Sequence, residues 1–87
     1  MPHTKVNEIL DILQEECAEV IQAISKCRRF GLEEKRKDLV QELGDVALLI
    51  ELLHAHGLFT ESELHQAKLN KSNKLVKWST IYNEGNQ

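Results

Sequence analysis

Carboxylates lie among the most apolar residues of two helical segments, and this arrangement limits how the chain can fold. At about 100° per residue, each segment presents an apolar stripe, and the acids project into these stripes or beside them. The first stripe comprises Ile9, Ile12, Leu13, Cys17, Val20, Ile21 and Ile24, and the second comprises Leu39, Leu43, Val46, Leu49, Ile50, Leu52 and Leu53. The acids are Glu15, Glu16 and Glu19 in the first segment and Glu42 and Asp45 in the second. Two helices are therefore predicted to pack with acidic side chains turned toward a shared interior.

Acids that face an apolar interior need a compensating charge. A carboxylate moved out of water without a partner costs several kcal/mol, and crowded like charges raise each other's pKa. A bound divalent cation is the simplest compensation, and an all-oxygen ligand set favours Mg²⁺, or Mn²⁺ in its place, over zinc. The alternative is that the acids lie on the stripe edges and pair with Arg28, Arg29, Arg36 or a lysine.

Three helices with short connections account for most of the chain, and no strand pattern is present. Gly31 has the position of a C-terminal cap glycine, and Thr60 with Glu63 has the spacing of a capping box. We predict an all-α helical bundle of three main helices, as a single domain over residues 1–80 with a frayed tail at 81–87. The helices are predicted to run from Thr4 to about Arg29, from near Glu33 to Gly57, and from Thr60 to about Trp78.

Length and charge restrict the partners. A chain of 87 residues with 41% apolar content can form a core, but a domain this short buries a limited fraction of its surface alone, so oligomerisation would help. The net charge of −3 provides no basic footprint for a nucleic-acid duplex. With no apolar leader in MPHTKVNE and no apolar run of membrane-spanning length, a cytoplasmic location without membrane contact is expected.

The cysteines and histidines receive no chemical role. Cys17 and Cys27 are ten residues apart on one predicted helix, a rise of about 15 Å that is too long for a disulfide. His54 and His56 are two residues apart, which places them on nearly opposite sides of a helix and makes a shared metal improbable.

Lysines and aromatic residues near the C-terminus could bind a ligand. Lys68 and Lys71 fall within the apolar face predicted for the third helix, and Lys74 borders it; all are candidate phosphate ligands. The alternative is that their stems cover apolar surface while their charged ends stay in water. The face itself comprises Leu64, Ala67, Leu75 and Trp78.

Three further residues have two interpretations each. Lys26 projects from the first helix in nearly the same direction as Glu15 and Glu19, where it could form a salt bridge or contact phosphate. Trp78 and Tyr82 could stack on a nucleotide base. They could equally cover the edge of a core or a subunit contact.

The acidic pattern leads to a family resemblance. Glu-Glu-x-x-Glu, 22 intervening residues and Glu-x-x-Asp, within EECAEVIQAISKCRRFG and ELGDVALLIELL, together with the later KSNKLVKW, resemble the all-α nucleoside triphosphate pyrophosphohydrolases of the MazG-like group. The likeness extends from Ile9 to Trp78. Phosphoribosyl-ATP pyrophosphohydrolases and dimeric dUTPases carry similar signatures.

The resemblance implies an activity and a set of roles. The expected reaction is metal-dependent hydrolysis of a nucleoside triphosphate between the α and β phosphates, giving the monophosphate and pyrophosphate. Metal would be held by Glu16, Glu19, Glu42 and Asp45. Glu15 and Glu16 would be the catalytic residues, with Glu15 either binding metal or orienting the attacking water as general base. Short members of the family are expected to form dimers or tetramers in which a neighbouring subunit completes the bundle.

Alternatives from other classes remain open. A phosphoribosyl-ATP pyrophosphohydrolase is the second enzymatic candidate, although ELGDV and KLVKWS are more MazG-like. A non-catalytic helical interaction module would fold independently of Mg²⁺. A nucleotide-binding regulator would bind nucleotide with metal but release no pyrophosphate.

Overall fold

Three helices make up the fold, and the all-α class is confirmed. The computed structural model describes residues 4–83, in which α1 spans Thr4–Phe30, α2 spans Leu32–Ala55 and α3 spans Glu61–Trp78. Each boundary lies within two residues of its predicted position. Of the predicted frayed tail, residues 81–83 are exposed, and residues 84–87 lie outside the described part of the chain. No described helix has the length and apolarity needed to cross a membrane.

α1 and α2 form an antiparallel hairpin with a repeating seam. Apart from Asp45 and Ile50, which are partly buried beside the seam, the buried and partly buried positions of both helices recur at alternating spacings of three and four residues, as in a coiled coil. This spacing keeps one face of each helix against its partner over several turns. The seam comprises Val6, Ile9, Leu13, Glu16, Val20, Ala23 and Cys27 of α1 and Lys35, Leu39, Glu42, Val46, Leu49 and Leu53 of α2.

The apolar part of the seam lies on both sides of the acids. At the open end of the hairpin, four buried side chains form the core cluster, on which Leu13 and Phe59 pack. These four are Val6, Ile9, Leu49 and Leu53. Near the turn, the small buried residues Ala23 and Cys27 close the seam. Full burial of a large apolar side chain stabilises a fold by about 1.5–3 kcal/mol, so the hairpin is held from both ends while its middle accommodates carboxylates.

Several residues of the predicted apolar stripes lie outside the seam. Both helices carry more apolar residues than one seam can cover. The seam follows a repeat of 3.5 residues, so the buried face of each helix is rotated relative to the centre of its predicted stripe. Several stripe residues are therefore exposed in the single chain: Ile12, Cys17, Ile21 and Ile24 in α1, and Leu43 and Leu52 in α2.

α3 extends from the hairpin and packs little against it. It contains no buried residue, and of its predicted apolar face only Leu64 and Leu75 are partly buried, whereas Trp78 is 83% exposed. The radius of gyration is 16.1 Å, against about 12 Å for a compact chain of this length. The accessible surface is 7395 Å², against about 5,200 Å² for a compact monomer of this mass. The single chain is therefore an open structure with unburied apolar surface.

Two glycines and one capping box set the turns. Gly31 (φ 103°) joins α1 to α2, and Gly57 (φ 85°) ends α2. The Gly57 and Leu58 amides donate to the carbonyls of His54 and Leu53 at 3.0 Å each, which is the Schellman pattern. The predicted capping box of α3 is confirmed, because Thr60 N–H donates to Glu63 Oε1 at 2.8 Å and Glu63 N–H donates to Thr60 Oγ1 at 3.1 Å.

Gly57→Ala should destabilise the fold by about 1 kcal/mol because a left-handed φ strains an L side chain. Gly44→Ala is the matched control: neither added methyl group meets another atom within 4 Å, but Gly44 lies inside α2 without a positive φ. The control should stabilise the helix, by up to about 1 kcal/mol. Thermal unfolding should give melting-temperature shifts of opposite sign, and equal shifts would contradict the assigned role of Gly57.

Candidate active site

Carboxylates from both helices of the hairpin converge at the middle of the seam. Oxygen atoms of Glu16, Glu42 and Asp45 all lie within 4.8 Å of one another, and all three side chains are partly buried. Glu16 and Glu42 occupy seam positions, whereas Asp45 is three residues after Glu42, almost one helical turn further along α2. The antiparallel packing thus brings together acids that are 26 and 29 residues apart in the chain.

The electrostatics of this cluster are unfavourable without a cation. The pKa of Glu16 is raised above its ordinary value, first by loss of water around the carboxyl group and then by the negative charges of Asp45 and Glu42. Hydrogen bonds to the same two acids also favour the protonated form. No lysine or arginine among the described residues contributes to this shift in the pKa of Glu16. For Glu16, pairing with a basic side chain is therefore not supported.

The donor set fits a hard divalent cation. Three carboxylates offer only oxygen atoms, which suit Mg²⁺ or Mn²⁺ and disfavour zinc. Their short mutual separation leaves like charges uncompensated, and a cation would relieve this repulsion. Among the described residues, Glu16, Glu42 and Asp45 are consequently a group whose oxygen atoms could hold a metal ion.

A neighbouring amide orients one of these acids. Gln41 Nε2 donates a hydrogen bond to Asp45 Oδ1 at 2.9 Å. The sequence interpretation missed Gln41, although its spacing of four residues from Asp45 on one helix was the available signal. A fixed Asp45 carboxylate suits a ligand role because such partners commonly hold metal ligands in position.

The other predicted acids lie outside the three-carboxylate group. Glu15 and Glu19 are exposed on α1. Glu19 shares a cavity with Glu42, whereas Glu15 does not line it. The roles predicted for Glu15 and Glu19 stay predictions.

The cavity beside the acids contains two lysines. It has a volume of about 160 Å³ and lies between the halves of α1 and α2 nearest the Gly31 turn. Lys26 was a predicted phosphate ligand, and Lys35 was missed because it has no counterpart in the acidic pattern. The full lining comprises Glu19, Gln22, Ala23, Lys26, Lys35, Asp38, Gln41 and Glu42.

The ligand-binding candidates of α3 lie elsewhere. Lys68, Lys71 and Lys74 are exposed and do not line this cavity, and neither does Trp78. Tyr82 lines a separate pocket at the end of α3 with Val76, Lys77, Ser79 and Asn83. Within one chain, α3 therefore adds no residue to the acidic site.

The two helices of the hairpin bring three acids together beside a cavity that is lined by both acids and lysines. A family model, the MazG nucleotide pyrophosphohydrolase domain, matches residues 4–76. The chain therefore belongs to the MazG family, which implies a nucleotide pyrophosphohydrolase and a nucleotide substrate. No curated protein and no solved structure matches the chain.

Metal-free protein should lose stability as pH rises through the range in which Glu16 ionises. The folded pKa of Glu16 is raised, so between the ordinary carboxyl pKa and the raised value the folded state binds more protons than the unfolded state. The free energy of unfolding consequently falls with increasing pH in that window.

The check is urea unfolding in EDTA from about pH 4 to pH 7, a range starting near the ordinary carboxyl pKa. Glu16→Gln should become increasingly stable relative to the wild type as pH rises. Glu51→Gln, on the exposed side of α2, should show no such trend. A stability difference for Glu16→Gln that does not change with pH would contradict the assignment.

Proposed function

We propose that the protein is a Mg²⁺-dependent nucleoside triphosphate pyrophosphohydrolase that converts an NTP or dNTP to the monophosphate and pyrophosphate. The observation that carries the proposal is the convergence of Glu16, Glu42 and Asp45 within 4.8 Å on a MazG domain. A salt-bridged interaction module has no need of three carboxylates at this separation, whereas phosphoryl chemistry uses metal ions to position phosphates and neutralise their charge.

Different side chains of the site are proposed to bind the metal and to accept a proton. Glu16, Glu42 and Asp45 would hold the metal, Glu19 would add a carboxylate from the adjoining cavity, and Gln41 keeps Asp45 oriented. Mg²⁺, or Mn²⁺ in its place, supplies charge neutralisation for the substrate phosphates when bound. Partial burial of the acids strengthens these interactions because the local dielectric is lower than in water.

Water is the nucleophile in this mechanism, and Glu15 is the proposed base. As the water oxygen bonds to the α phosphorus, the bond from that phosphorus to the oxygen bridging to the β phosphorus breaks. Glu15 takes the proton of the attacking water, and pyrophosphate leaves with the electron pair of the broken bond. The exposure of Glu15 leaves it accessible to solvent and to substrate.

Self-association is the second part of the proposal. Ile21 is 66% exposed and Leu43 49% exposed on the hairpin, and α3 exposes Val76 and Trp78. The accessible surface exceeds that of a compact monomer of this mass, and the excess is on the order of the area buried in a standard protein–protein interface. A closed two-fold assembly of identical chains, as a dimer or a dimer of dimers, would cover this surface.

Millimolar Mg²⁺ should raise the melting temperature because a ligand that binds only the folded state stabilises it by mass action. Glu42→Gln keeps the side-chain shape and removes one charge, so it should reduce this shift strongly and abolish turnover while the metal-free fold stays intact or becomes slightly more stable. Glu51→Gln is the matched control and should retain the wild-type shift. Unfolding of Glu42→Gln together with indifference of the wild type to Mg²⁺ would favour a structural salt-bridge role.

A pyrophosphate-release assay tests the reaction directly. A panel of canonical, deoxy and damaged nucleoside triphosphates and phosphoribosyl-ATP, each with and without Mg²⁺, should give release only with metal. Binding of nucleotide with metal but without release would identify a regulator instead, and preference for phosphoribosyl-ATP would identify the second enzymatic candidate.

Light scattering should give at least twice the chain mass of 10.0 kDa at micromolar concentration. Ile21→Glu should weaken the assembly if the exposed α1 residues are in the interface, since a charge at a buried contact is costly. A folded and active monomer would contradict the proposed assembly.

A further inference from the structure

The cavity beside the acidic cluster has the charge pattern of a phosphate subsite. Its cations are Lys26 from α1 and Lys35 from α2, one from each helix of the hairpin. Glu42 belongs both to the cavity lining and to the three-carboxylate group. A group that enters this cavity is thus continuous with the candidate metal centre.

A contact with an aromatic ring restrains the Lys35 side chain. It is partly buried at a seam position of α2, and its Nζ lies 5.4 Å from the centroid of the Phe30 ring. Arg29 also contacts this ring, with Cζ 5.7 Å from the centroid. A cation over an aromatic face is attracted by the ring quadrupole, which limits the conformations of the Lys35 side chain and lowers the entropy cost of binding an anion.

The size of the cavity limits what can occupy it. Its volume of about 160 Å³ is below the range of about 300–1,000 Å³ that is usual for pockets of whole drug-sized ligands. It therefore suits one part of a nucleotide. The negative groups of the lining, Glu19, Asp38 and Glu42, would repel an unaccompanied phosphate, so an anion would need a divalent cation beside it in order to bind here.

We propose that this cavity is the subsite for the pyrophosphate part of the substrate, with Lys26 and Lys35 as its cationic partners. The inference rests on the proposed function and adds a direction to it: the phosphates extend from the acidic cluster toward the Gly31 turn. Within one chain, Lys26 and Lys35 line this cavity, and the phosphate-binding roles predicted for Lys68, Lys71 and Lys74 stay predictions.

The test is isothermal titration of the full-length protein with inorganic pyrophosphate in the presence of Mg²⁺. Lys35→Gln and Lys26→Gln should each weaken pyrophosphate binding by about tenfold, as expected for a lost charge-assisted hydrogen bond. Phe30→Leu should weaken it less, because the lysine remains but its positioning contact is lost. Lys37→Gln, which removes the same charge from an exposed position on α2 outside the cavity lining, should stay within about twofold of the wild type, as expected for a screened surface charge.

Circular dichroism and the Mg²⁺-induced melting shift separate a lost subsite from a lost fold or metal site. Retention of both in Lys35→Gln with weakened pyrophosphate binding supports the subsite. Equal losses in Lys35→Gln and Lys37→Gln, or a wild type that binds Mg²⁺ but no pyrophosphate, would overturn it, as would losses confined to Lys71→Gln and Lys74→Gln.

The activity assay distinguishes this inference from the proposed function. Pyrophosphate release by the wild type with an unchanged KM in Lys35→Gln would leave the enzyme assignment intact and reject the subsite. Lysine-dependent pyrophosphate binding without hydrolysis of any triphosphate would support the subsite and reject the enzyme assignment.

Discussion

The acids in the seam of the α1–α2 hairpin are the constraint on which the rest of the structure depends. A helix pair normally fills its seam with apolar side chains, but this pair places Glu16 and Glu42 at seam positions. The core cluster at the open end and the small residues near the turn compensate by holding the helices together on both sides of the acids. The apolar packing therefore supplies the stability, and the acidic layer is available for chemistry.

The raised pKa of Glu16 is the electrostatic consequence of placing acids in the seam. Burial and the charges of Asp45 and Glu42 act in one direction, so the metal-free site retains repulsion between its own side chains. Such unrelieved repulsion at a partly buried position is characteristic of functional sites, where a ligand completes the charge balance. In the proposed subsite, a cation held by the acids and the two lysines of the adjoining cavity would together provide positive charge along a polyphosphate.

The openness of the single chain follows from its length. Two helices of 27 and 24 residues bury one seam against each other, but each has a second apolar sector that α3 does not cover. An 18-residue helix with no buried residue contributes little to the stability of an isolated chain. The exposed apolar surface thus reflects the small fraction of its surface that a short chain can bury by itself.

Much of the fold was predictable because its signals are local. Glycines at 31 and 57 and the Thr60 capping box define helix ends through backbone conformation and nearby hydrogen bonds, and these depend on residues a few positions apart. The acidic pattern likewise indicated two facing helices and the three acids that the structure brings together. The face of each helix that becomes buried was less predictable, because Ile12, Ile21 and Ile24 are as apolar as the residues that form the seam.

By itself, the sequence determined the helices, their ends and the acidic character of the site, since helical period and capping are properties of short segments. Only the tertiary structure decided the register of α1 against α2, and with it the pairing of Glu16 with Glu42 and Asp45 and of Lys26 with Lys35 across the cavity. These residues are distant in the chain, and their separation depends on how two helices pack along a seam that alternates spacings of three and four residues.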